Sequence, residues 1–236
     1  MKLETERLFL RELTPDDFDA LYAVLADSDI MQHYPYTFDE ARVRNWINKN
    51  RERYRIFGFG LWAVCLKTTG KMIGDCGLTM QNINGTILPE IGYHIAKAYQ
   101  RQGYAKEAAR AVRDWAFANT TFDTVYSYMK KANIPSSTVA RANGMTLLGE
   151  FADDESEQTV VYGISREKTR GIKMKIGKII GIALKAIALA MGIAVVVLSV
   201  LDKVEIKSAI SMTGIGLACL AITQLSAKKN DELRMK

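Results

Sequence analysis

The segment spanning residues 88–118 constrains the fold more than any other part of the sequence. Residues 90–96 have the composition of a short strand, residues 100–105 form a turn around a glycine, and an amphipathic helix follows. Along that helix, apolar residues recur at the i, i+3, i+4, i+7 spacing of a buried face. These residues are Ala105, Ala108, Ala109, Val112, Trp115 and Ala116. The segment therefore predicts a strand that enters a core helix through a tight glycine turn.

This turn has a chemical use. The first backbone N–H groups of a helix have no partner within it, and with the positive end of the helix dipole they make a site for phosphate. Gly103 lets a ligand approach the backbone closely, Ala105 adds little bulk, and Gln100 and Arg101 can add side-chain donors. Neither a Gly-Lys-Ser/Thr loop nor a GxGxxG fingerprint is present. On the turn alone, a glycine that merely redirects the chain remains the alternative.

The remaining elements predict a mixed sheet. Strands are expected over residues 7–13, 61–67, 72–80, 124–129, 146–151 and 159–164. Helices are expected to begin at Thr14, at the capping-box pattern of Thr37 and Glu40, and at Asn133. The order β-α-α-β-β-β-α-β-α-β-β mixes hairpins with βα units. It predicts an α/β domain with a mixed, mostly antiparallel sheet flanked by helices.

Charge and cysteine usage narrow the class of protein. Residues 1–165 carry 19 basic and 21 acidic side chains, a net charge of −2, whereas residues 166–236 carry 13 and 5, a net charge of +8. The high pI therefore belongs to the tail, and no nucleic-acid partner is expected. The three cysteines make no disulfide framework and the N-terminus has no apolar signal core, which favours a reducing cytoplasm for the globular part. No Cys/His cluster indicates a metal.

The tail is strongly apolar. Residues 179–201 contain one charge, Lys185, and residues 208–227 contain none, so each is long enough to cross a hydrocarbon layer of about 30 Å. Basic residues flank the pair, which predicts a cell-membrane hairpin with the globular domain on the cytoplasmic side. A soluble helical hairpin, packed on the domain or on a second copy, is the alternative. The predicted divisions are 1–168 (globular domain), 169–178 (basic linker), 179–227 (transmembrane hairpin) and 228–236 (basic cytoplasmic tail).

Several motifs together resemble the GNAT N-acetyltransferase superfamily over the first 168 residues. Gln100-x-x-Gly103-x-Ala105, between a Glu-Ile-Gly-Tyr strand and an Ala-rich helix, is similar to the family's acetyl-CoA pyrophosphate loop. The opening segment 4–8 resembles the start of the branch that includes the ribosomal-protein N-terminal acetyltransferases, and the run 74–78 also resembles the family. The resemblance implies the GNAT fold and transfer of acetyl from acetyl-CoA to a primary amine by direct attack in a ternary complex.

The resemblance also implies which residues bind the co-substrate. The backbone of Ile95 and Ala96 matches the donors to the acetyl and pantetheine groups, and Asn133 and Ser136 match the contacts to the CoA arm. The pyrophosphate loop comprises Gln100, Arg101, Gln102, Gly103, Tyr104, Ala105 and Lys106. Many members carry a tyrosine seven residues after that asparagine, as an acid for the thiolate. Here the position is Ala140, so Ser136, another group or water takes that role.

The acceptor side has fewer markers. Glu90 is a candidate base for the amine, and His94, on the same strand face, is a second candidate. A structural ion pair for Glu90 and a satisfied core histidine for His94 are the alternatives. His33, Tyr34 and Tyr36 lie in the region that borders the acceptor in the family, although an ordinary aromatic loop would look the same.

Three functions are compatible with these features. The first is a membrane-anchored acetyl-CoA-dependent N-acetyltransferase, which contacts lipid through the hairpin. The second is a non-catalytic acyl-CoA-binding or sensing module tethered to the membrane, and the third is a lipid-surface or oligomerisation protein in which the tail acts. The intact glycine loop favours the enzyme. The acceptor amine, whether on a small molecule or at a protein N-terminus, has no decisive residue in the sequence.

Overall fold

A computed structural model describes residues 2–152, 157–200 and 206–232. The strands are β1 (Lys2–Glu4), β2 (Leu8–Arg11), β3 (Leu61–Leu66), β4 (Met72–Ile83), β5 (Thr86–Ile95), β6 (Thr124–Lys130), β7 (Thr146–Ala152) and β8 (Gln158–Ser165). The helices are α1 (Phe18–Leu25), α2 (Ser28–Met31), α3 (Glu40–Phe57), α4 (Tyr104–Asn119), α5 (Ile134–Ala142), α6 (Arg166–Val200) and α7 (Ile206–Glu232).

The strands form a single eight-stranded sheet in the order β1-β2-β3-β4-β5-β6-β8-β7. Every neighbouring pair is antiparallel except β5 and β6, which run parallel. The predicted α/β class with a mostly antiparallel sheet is confirmed. Strand β1 and helix α2 were not predicted, because an edge strand of three residues and a single helical turn are too short to show a periodic pattern.

Helix starts are set by side-chain caps. The Asp39 carboxylate accepts from the Arg42 amide and begins α3, so the cap is Asp39 and not the predicted Thr37. Both residues suit a cap, and only the structure decides between two such candidates lying close together. Asn133 caps α5 as predicted, by accepting from the Ser136 amide at 3.1 Å.

Two apolar cores lie on the two faces of the sheet. On one face, α4 buries Ala108, Ala109, Val112 and Ala116, with Ala105 and Trp115 half-buried at the margin, so the predicted stripe is the core face of this helix. The other core packs α1 and α3 on the sheet. Cys65 and Cys76 are buried in strands as free thiols. The sheet is therefore covered on both sides, and access to it is from the ends of strands.

The chain divides into two units, residues 1–169 and 170–236. Helix α6 begins in the first unit, where the Arg166 guanidinium donates to the carbonyls of Thr120 at 2.9 Å and Phe122 at 2.8 Å and to that of Phe117. In the second unit, Gly216 of α7 lies close to Ala188 of α6. The residues predicted as a basic linker, 169–178, are part of the continuous helix α6.

The transmembrane prediction is not supported. Within the three described ranges, no helix is both long enough and apolar enough to cross a membrane. Residues 201–205, within the predicted hairpin, and residues 233–236 of the predicted tail lie outside the described residues.

Candidate active site

The candidate active site lies where β5 and β6 separate. These parallel strands share the register pair Glu90 and Tyr126, and one residue further on the Ser127 hydroxyl donates to the Ile91 carbonyl at 2.6 Å. Beyond this joint a cavity of about 1490 Å³ opens, lined by both strands, the start of α4, α5 and the loop after α2. Single-ligand pockets usually measure roughly 300–1,000 Å³, so this cavity has room for two substrates.

The turn into α4 presents an open set of backbone donors. Gly103, the N-cap of α4, has a φ of 84°, which glycine adopts without strain. The first hydrogen bond of the helix runs from the Glu107 amide to the Gly103 carbonyl, so the amides of residues 103–106 precede the helical ladder. A side chain at Gly103 would meet only the Arg7 guanidinium, 3.4 Å from its Cβ. The free space, the donors and the helix dipole fit a pyrophosphate group.

An N-terminal clamp holds this loop in place. Glu107 accepts hydrogen bonds from the Thr5 hydroxyl at 2.6 Å, the Arg7 amide at 2.8 Å and Arg7 Nε at 2.7 Å. Arg7 also donates to the Gln102 carbonyl at 3.0 Å and lies over the Tyr104 ring. Burial alone would raise the pKa of Glu107, but these hydrogen bonds lower it overall. The clamp ties the loop to the chain segment that enters β2.

The end of β5 carries the predicted backbone donors. The Ala96 amide donates to the Ile73 carbonyl at 2.8 Å, within the pairing of β4 and β5. Because neighbouring amides of a strand point in opposite directions, the Ile95 amide faces the β6 side, where the cavity opens. Of this predicted pair, Ile95 is thus the candidate donor. The Gln100 side chain donates to the Ile95 carbonyl at 2.9 Å and supports the turn from within.

Helix α5 forms the far wall of the cavity. Asn133 and Ser136 both line it. The Asn133 side chain accepts a hydrogen bond from the Ser136 amide and so caps α5. The Tyr93 hydroxyl, from β5, donates to the Ser136 carbonyl at 2.8 Å and so bridges the open seam. Ala140 is buried in the core, 1% exposed, and offers no hydroxyl to the cavity. The tyrosine that the family pattern expects on this helix therefore has no replacement at its own position.

Glu90 is a buried carboxyl that lines the cavity. Burial raises its pKa from 4.5 to about 7, although the Thr79 hydroxyl, which donates to it at 3.2 Å, opposes the shift. The Gln81 amide donates to the same Thr79 oxygen at 3.2 Å, which directs the Thr79 hydrogen toward Glu90. The Glu90 carboxylate lies over Gly92, whose missing side chain leaves the space it occupies. A group with a pKa near 7 is suited to accept and release protons at neutral pH.

His94 lies further along the same face of β5 and is hydrogen-bonded through both ring nitrogens. Its Nδ1 is 2.7 Å from a carboxylate oxygen of Asp75, the residue opposite it on β4, and its Nε2 is 2.9 Å from the Tyr34 hydroxyl. Burial alone would lower the pKa of His94, but the Asp75 carboxylate outweighs it and raises the pKa. The second Asp75 oxygen accepts from the Trp46 indole at 2.9 Å.

Aromatic rings make the wall facing Glu90 and His94. Tyr34 packs edge-on against Tyr36 and Phe38, and Phe38 packs against Trp46. Tyr36 is 41% exposed at the mouth of the cavity. His33 lines the cavity as well, and burial lowers its pKa. The structure thus brings all three predicted acceptor-side residues of this loop to the cavity.

The comparison with known proteins decides the family. Residues 7–146 match the acetyltransferase (GNAT) domain family. The chain belongs to the GNAT acetyltransferases. It is similar to the uncharacterized protein YkkB of Bacillus subtilis, with 35% identity over 145 residues, or 61% of this chain and 84% of the relative. It is also similar to the uncharacterized N-acetyltransferase YnaD of the same species, with 30% identity over 156 residues, or 64% and 86%.

Solved structures have the same fold. A GNAT-family acetyltransferase from Bacillus anthracis is 26% identical with a TM-score of 0.62, covering 71% of this chain and 99% of that one. RimL, a ribosomal alpha-N-protein acetyltransferase in complex with coenzyme A, is 20% identical with a TM-score of 0.60, covering 70% and 98%. The prediction of an acetyl-CoA-dependent N-acetyltransferase is confirmed. In the described parts of this acetyltransferase, no cluster of His, Cys, Asp or Glu is arranged to hold a metal ion.

Sequence reasoning missed several residues of this GNAT site. Asp75 and Trp46 lie far from His94 in the sequence, and only the β4–β5 register and the packing of α3 bring them together. The partnership of Glu107 with Arg7 also spans a hundred residues. A signal existed for two of them, because Asp75 lies inside the run 74–78 and Arg7 inside the segment 4–8, both of which resemble the family. The two segments indicated a role for these residues but did not specify which distant residues they contact.

Proposed function

We propose that this GNAT acetyltransferase moves an acetyl group from acetyl-CoA to a primary amine by direct attack, with Glu90 as the base for the attacking nitrogen. One observation carries the proposal. A buried carboxyl whose pKa is about 7 lies at the joint of β5 and β6, in the same cavity as the open helix N-terminus of α4. The cavity therefore holds an anion site at one end and a proton acceptor at the other.

The position of each group in the cavity determines its proposed role. Bound acetyl-CoA supplies a thioester as the acetyl donor. The amides of residues 103–106 bind its pyrophosphate, with Lys106 beside them, while the Ile95 amide and the cap of α5 position its arm. The ionised Glu90 carboxylate takes a proton from the amine nitrogen directly or through one water. Such a site works mainly by orientation and by fixed backbone dipoles, without a covalent enzyme intermediate.

The acceptor enters past the aromatic wall. Tyr34, Tyr36 and His33 line that approach, and they are the residues that we propose contact the acceptor. RimL, by its name, acts on a ribosomal protein, and a protein N-terminus is one of the acceptors to be tested here. A small-molecule amine is the other class. Localisation at the cell membrane, with the catalytic domain facing the cytoplasm and a lipid contact through the tail, stays a prediction.

Acetyl-CoA binding by the full-length protein tests the cofactor loop. Calorimetry should detect binding to wild type and its loss in Gly103→Glu, because the new carboxylate and its bulk would lie where the pyrophosphate binds. The matched control is Glu6→Gln, a change on the exposed N-terminal segment outside the cavity, which should bind normally.

Turnover is tested separately from binding. A panel of one free-N-terminus peptide, a polyamine, an amino sugar and an aminoglycoside is screened for release of the CoA thiol. We expect at least one acceptor to be acetylated, and Glu90→Gln to lower its kcat/KM by about 10²-fold or more. Normal acetyl-CoA binding without turnover on any amine would favour the non-catalytic CoA-binding module instead.

A further inference from the structure

Three side chains form a continuous hydrogen-bonded chain from the cavity into the sheet. Tyr34 lies on the wall of the cavity, its hydroxyl 2.9 Å from Nε2 of His94, and Nδ1 of His94 is 2.7 Å from Asp75. Asp75 is 0% exposed, and both of its oxygens are used, one by His94 and one by the Trp46 indole. This chain is separate from the hydrogen bond between Glu90 and Thr79.

With Asp75 ionised and His94 neutral, the hydrogen-bond partners define the direction of each proton in the chain. An ionised carboxylate only accepts, so Nδ1 of His94 carries the hydrogen that points to Asp75. In the neutral ring Nε2 is then an acceptor, and the Tyr34 hydroxyl donates to it. The lone pairs of the Tyr34 oxygen are left to accept a hydrogen bond from a ligand in the cavity. A ligand with N–H donors, such as an alkylammonium ion, suits that oxygen.

The surroundings hold this arrangement rigidly. The Trp46 ring packs against His94, and Tyr34 is fixed between Tyr36 and Phe38. Asp75 and His94 are direct neighbours in the β4–β5 register, so the sheet itself sets their separation. A histidine positioned by packing on one side and by a carboxylate on the other has a single orientation and a single tautomer.

We propose that Tyr34, His94 and Asp75 form a proton relay that removes the first proton from the acceptor's ammonium group. This rests on the proposed function. Tyr34 is the catalytic residue of the three, because it touches the substrate, whereas His94 acts through it, and Asp75 and Trp46 position His94. The relay then accepts the first proton of the nitrogen, and Glu90 accepts the second.

The attacking nitrogen loses two protons in the course of the reaction. An ammonium acceptor and a thioester give an amide, a thiol and one released proton. In the first step the ammonium donates a proton to the Tyr34 oxygen while the Tyr34 proton passes to Nε2 of His94, so Tyr34 stays neutral and His94 becomes an imidazolium beside Asp75. In the second step the neutral nitrogen forms the N–C bond as the C–S bond breaks. Its second proton passes to Glu90, which gives a proton to water, and water supplies one proton to the thiolate, so Glu90 is ionised again. His94 returns its proton to solvent as the one proton released overall.

The directions of the pKa shifts of Tyr34 and His94 are consistent with these two proton transfers. Burial raises the pKa of Tyr34 well above its ordinary value, which keeps the hydroxyl protonated as a relay requires. The pKa of His94 is raised by Asp75 and Glu90 despite burial. The titratable and charged groups that face the relay and Glu90 are Asp75 on β4, Glu90 on β5, Tyr128 on β6, Arg53 on α3 and Tyr36 in the loop.

Rate measurements against pH test the relay with the best acceptor of the panel. Tyr34→Phe keeps the packed ring and removes the hydroxyl. Below the pKa of the acceptor amine, where it is an ammonium ion, kcat/KM should fall by about 10²-fold. Above that pKa the nitrogen is already neutral, so the difference from wild type should disappear, and acetyl-CoA binding should be unchanged throughout. Tyr22→Phe, on α1 and outside the cavity, is the matched control and should behave as wild type.

Nuclear magnetic resonance reports on the relay without catalysis. The protein has two histidines, so the imidazole ¹⁵N signals of His94 can be assigned with a His33→Asn variant. We expect neutral His94 to carry its hydrogen on Nδ1, and Asp75→Asn to lower its pKa and shift the hydrogen toward Nε2. An Asp75→Asn variant that leaves the tautomer and the pKa unchanged would refute the positioning role.

The kinetic outcomes separate the two proposals. A wild-type protein that is inactive with the whole panel overturns the proposed function, and the relay with it. An active wild type whose Tyr34→Phe variant loses the same factor at every pH, or loses nothing, overturns the relay alone and leaves Glu90 as the base for both protons.

Discussion

Replacing Thr79 with valine should shift the pH profile of this acetyltransferase toward alkaline pH. The Thr79 hydroxyl donates to the Glu90 carboxylate at 3.2 Å, and Gln81 holds that hydroxyl in its orientation. Valine has nearly the same shape as threonine but cannot donate. Its introduction leaves the ionised Glu90 with one hydrogen bond fewer, while the protonated form loses less, so the pKa must rise.

The size of the shift follows from the geometry. A hydrogen bond to a charged group contributes about 1.5–3 kcal/mol, and about 1.4 kcal/mol corresponds to one pKa unit. The O–O distance of 3.2 Å is long, which places this bond at the low end. We therefore expect the pKa to rise by about one unit from about 7. At pH 7 the ionised fraction falls from about one half to about one tenth, and kcat/KM falls about fivefold.

The assay is kcat/KM for the acceptor over about pH 6–9, the range in which a base with a pKa of about 7 titrates. Thr79→Val should approach the wild-type value at the alkaline end, and Thr79→Ser, which keeps the hydroxyl, should follow the wild-type profile. A Thr79→Val enzyme with an unchanged midpoint and a rate reduced equally at all pH values would refute the assignment of the titrating base to Glu90.

Two further predictions concern stability and the loop. Because burial raises the folded-state pKa of Glu90 from 4.5 to about 7, the folded protein binds that proton more tightly than the unfolded chain, and stability falls as pH rises through this window. Glu90→Gln should therefore raise Tm at alkaline pH and leave it unchanged below the unfolded-state pKa of Glu90. An equal change in Tm at acidic and alkaline pH would contradict this. Glu107→Gln weakens the clamp on Thr5 and Arg7, so acetyl-CoA should bind about three- to tenfold more weakly by calorimetry, given about 1 kcal/mol for the lost interaction. Unchanged affinity would show that the loop holds its shape without the clamp.

The candidate cofactor loop leaves a clearer pattern in the sequence than the candidate acceptor residues do. The pyrophosphate loop is contiguous, and its helix, glycine and flanking strand leave a local pattern that short-range rules can read. Asn133 and Ser136 are likewise neighbours in one helix cap. Such features depend on a few consecutive residues, so they are visible without knowledge of the fold.

The acceptor side depends on pairings between distant residues. Asp75 is positioned opposite His94 by strand register, and Tyr34 comes from a loop sixty residues earlier. Burial, which decides the pKa of Glu90, is a property of the whole domain and not of its neighbours in sequence. For the tail, hydropathy alone predicted a membrane hairpin, and the described helices do not support it.

The single parallel joint divides the sheet into two antiparallel sets, one from β1 to β5 and the other from β6 to β8. Each set has a continuous ladder of its own, whereas the joint between them has one register pair, the Ser127 hydrogen bond and the hydrogen bond from Tyr93 to Ser136. A ligand that lies in this opening and forms hydrogen bonds to both β5 and β6 adds contacts where the two strands are not paired with each other. Binding at the active site should therefore raise the free energy of unfolding of the domain by an amount set by ligand concentration and affinity.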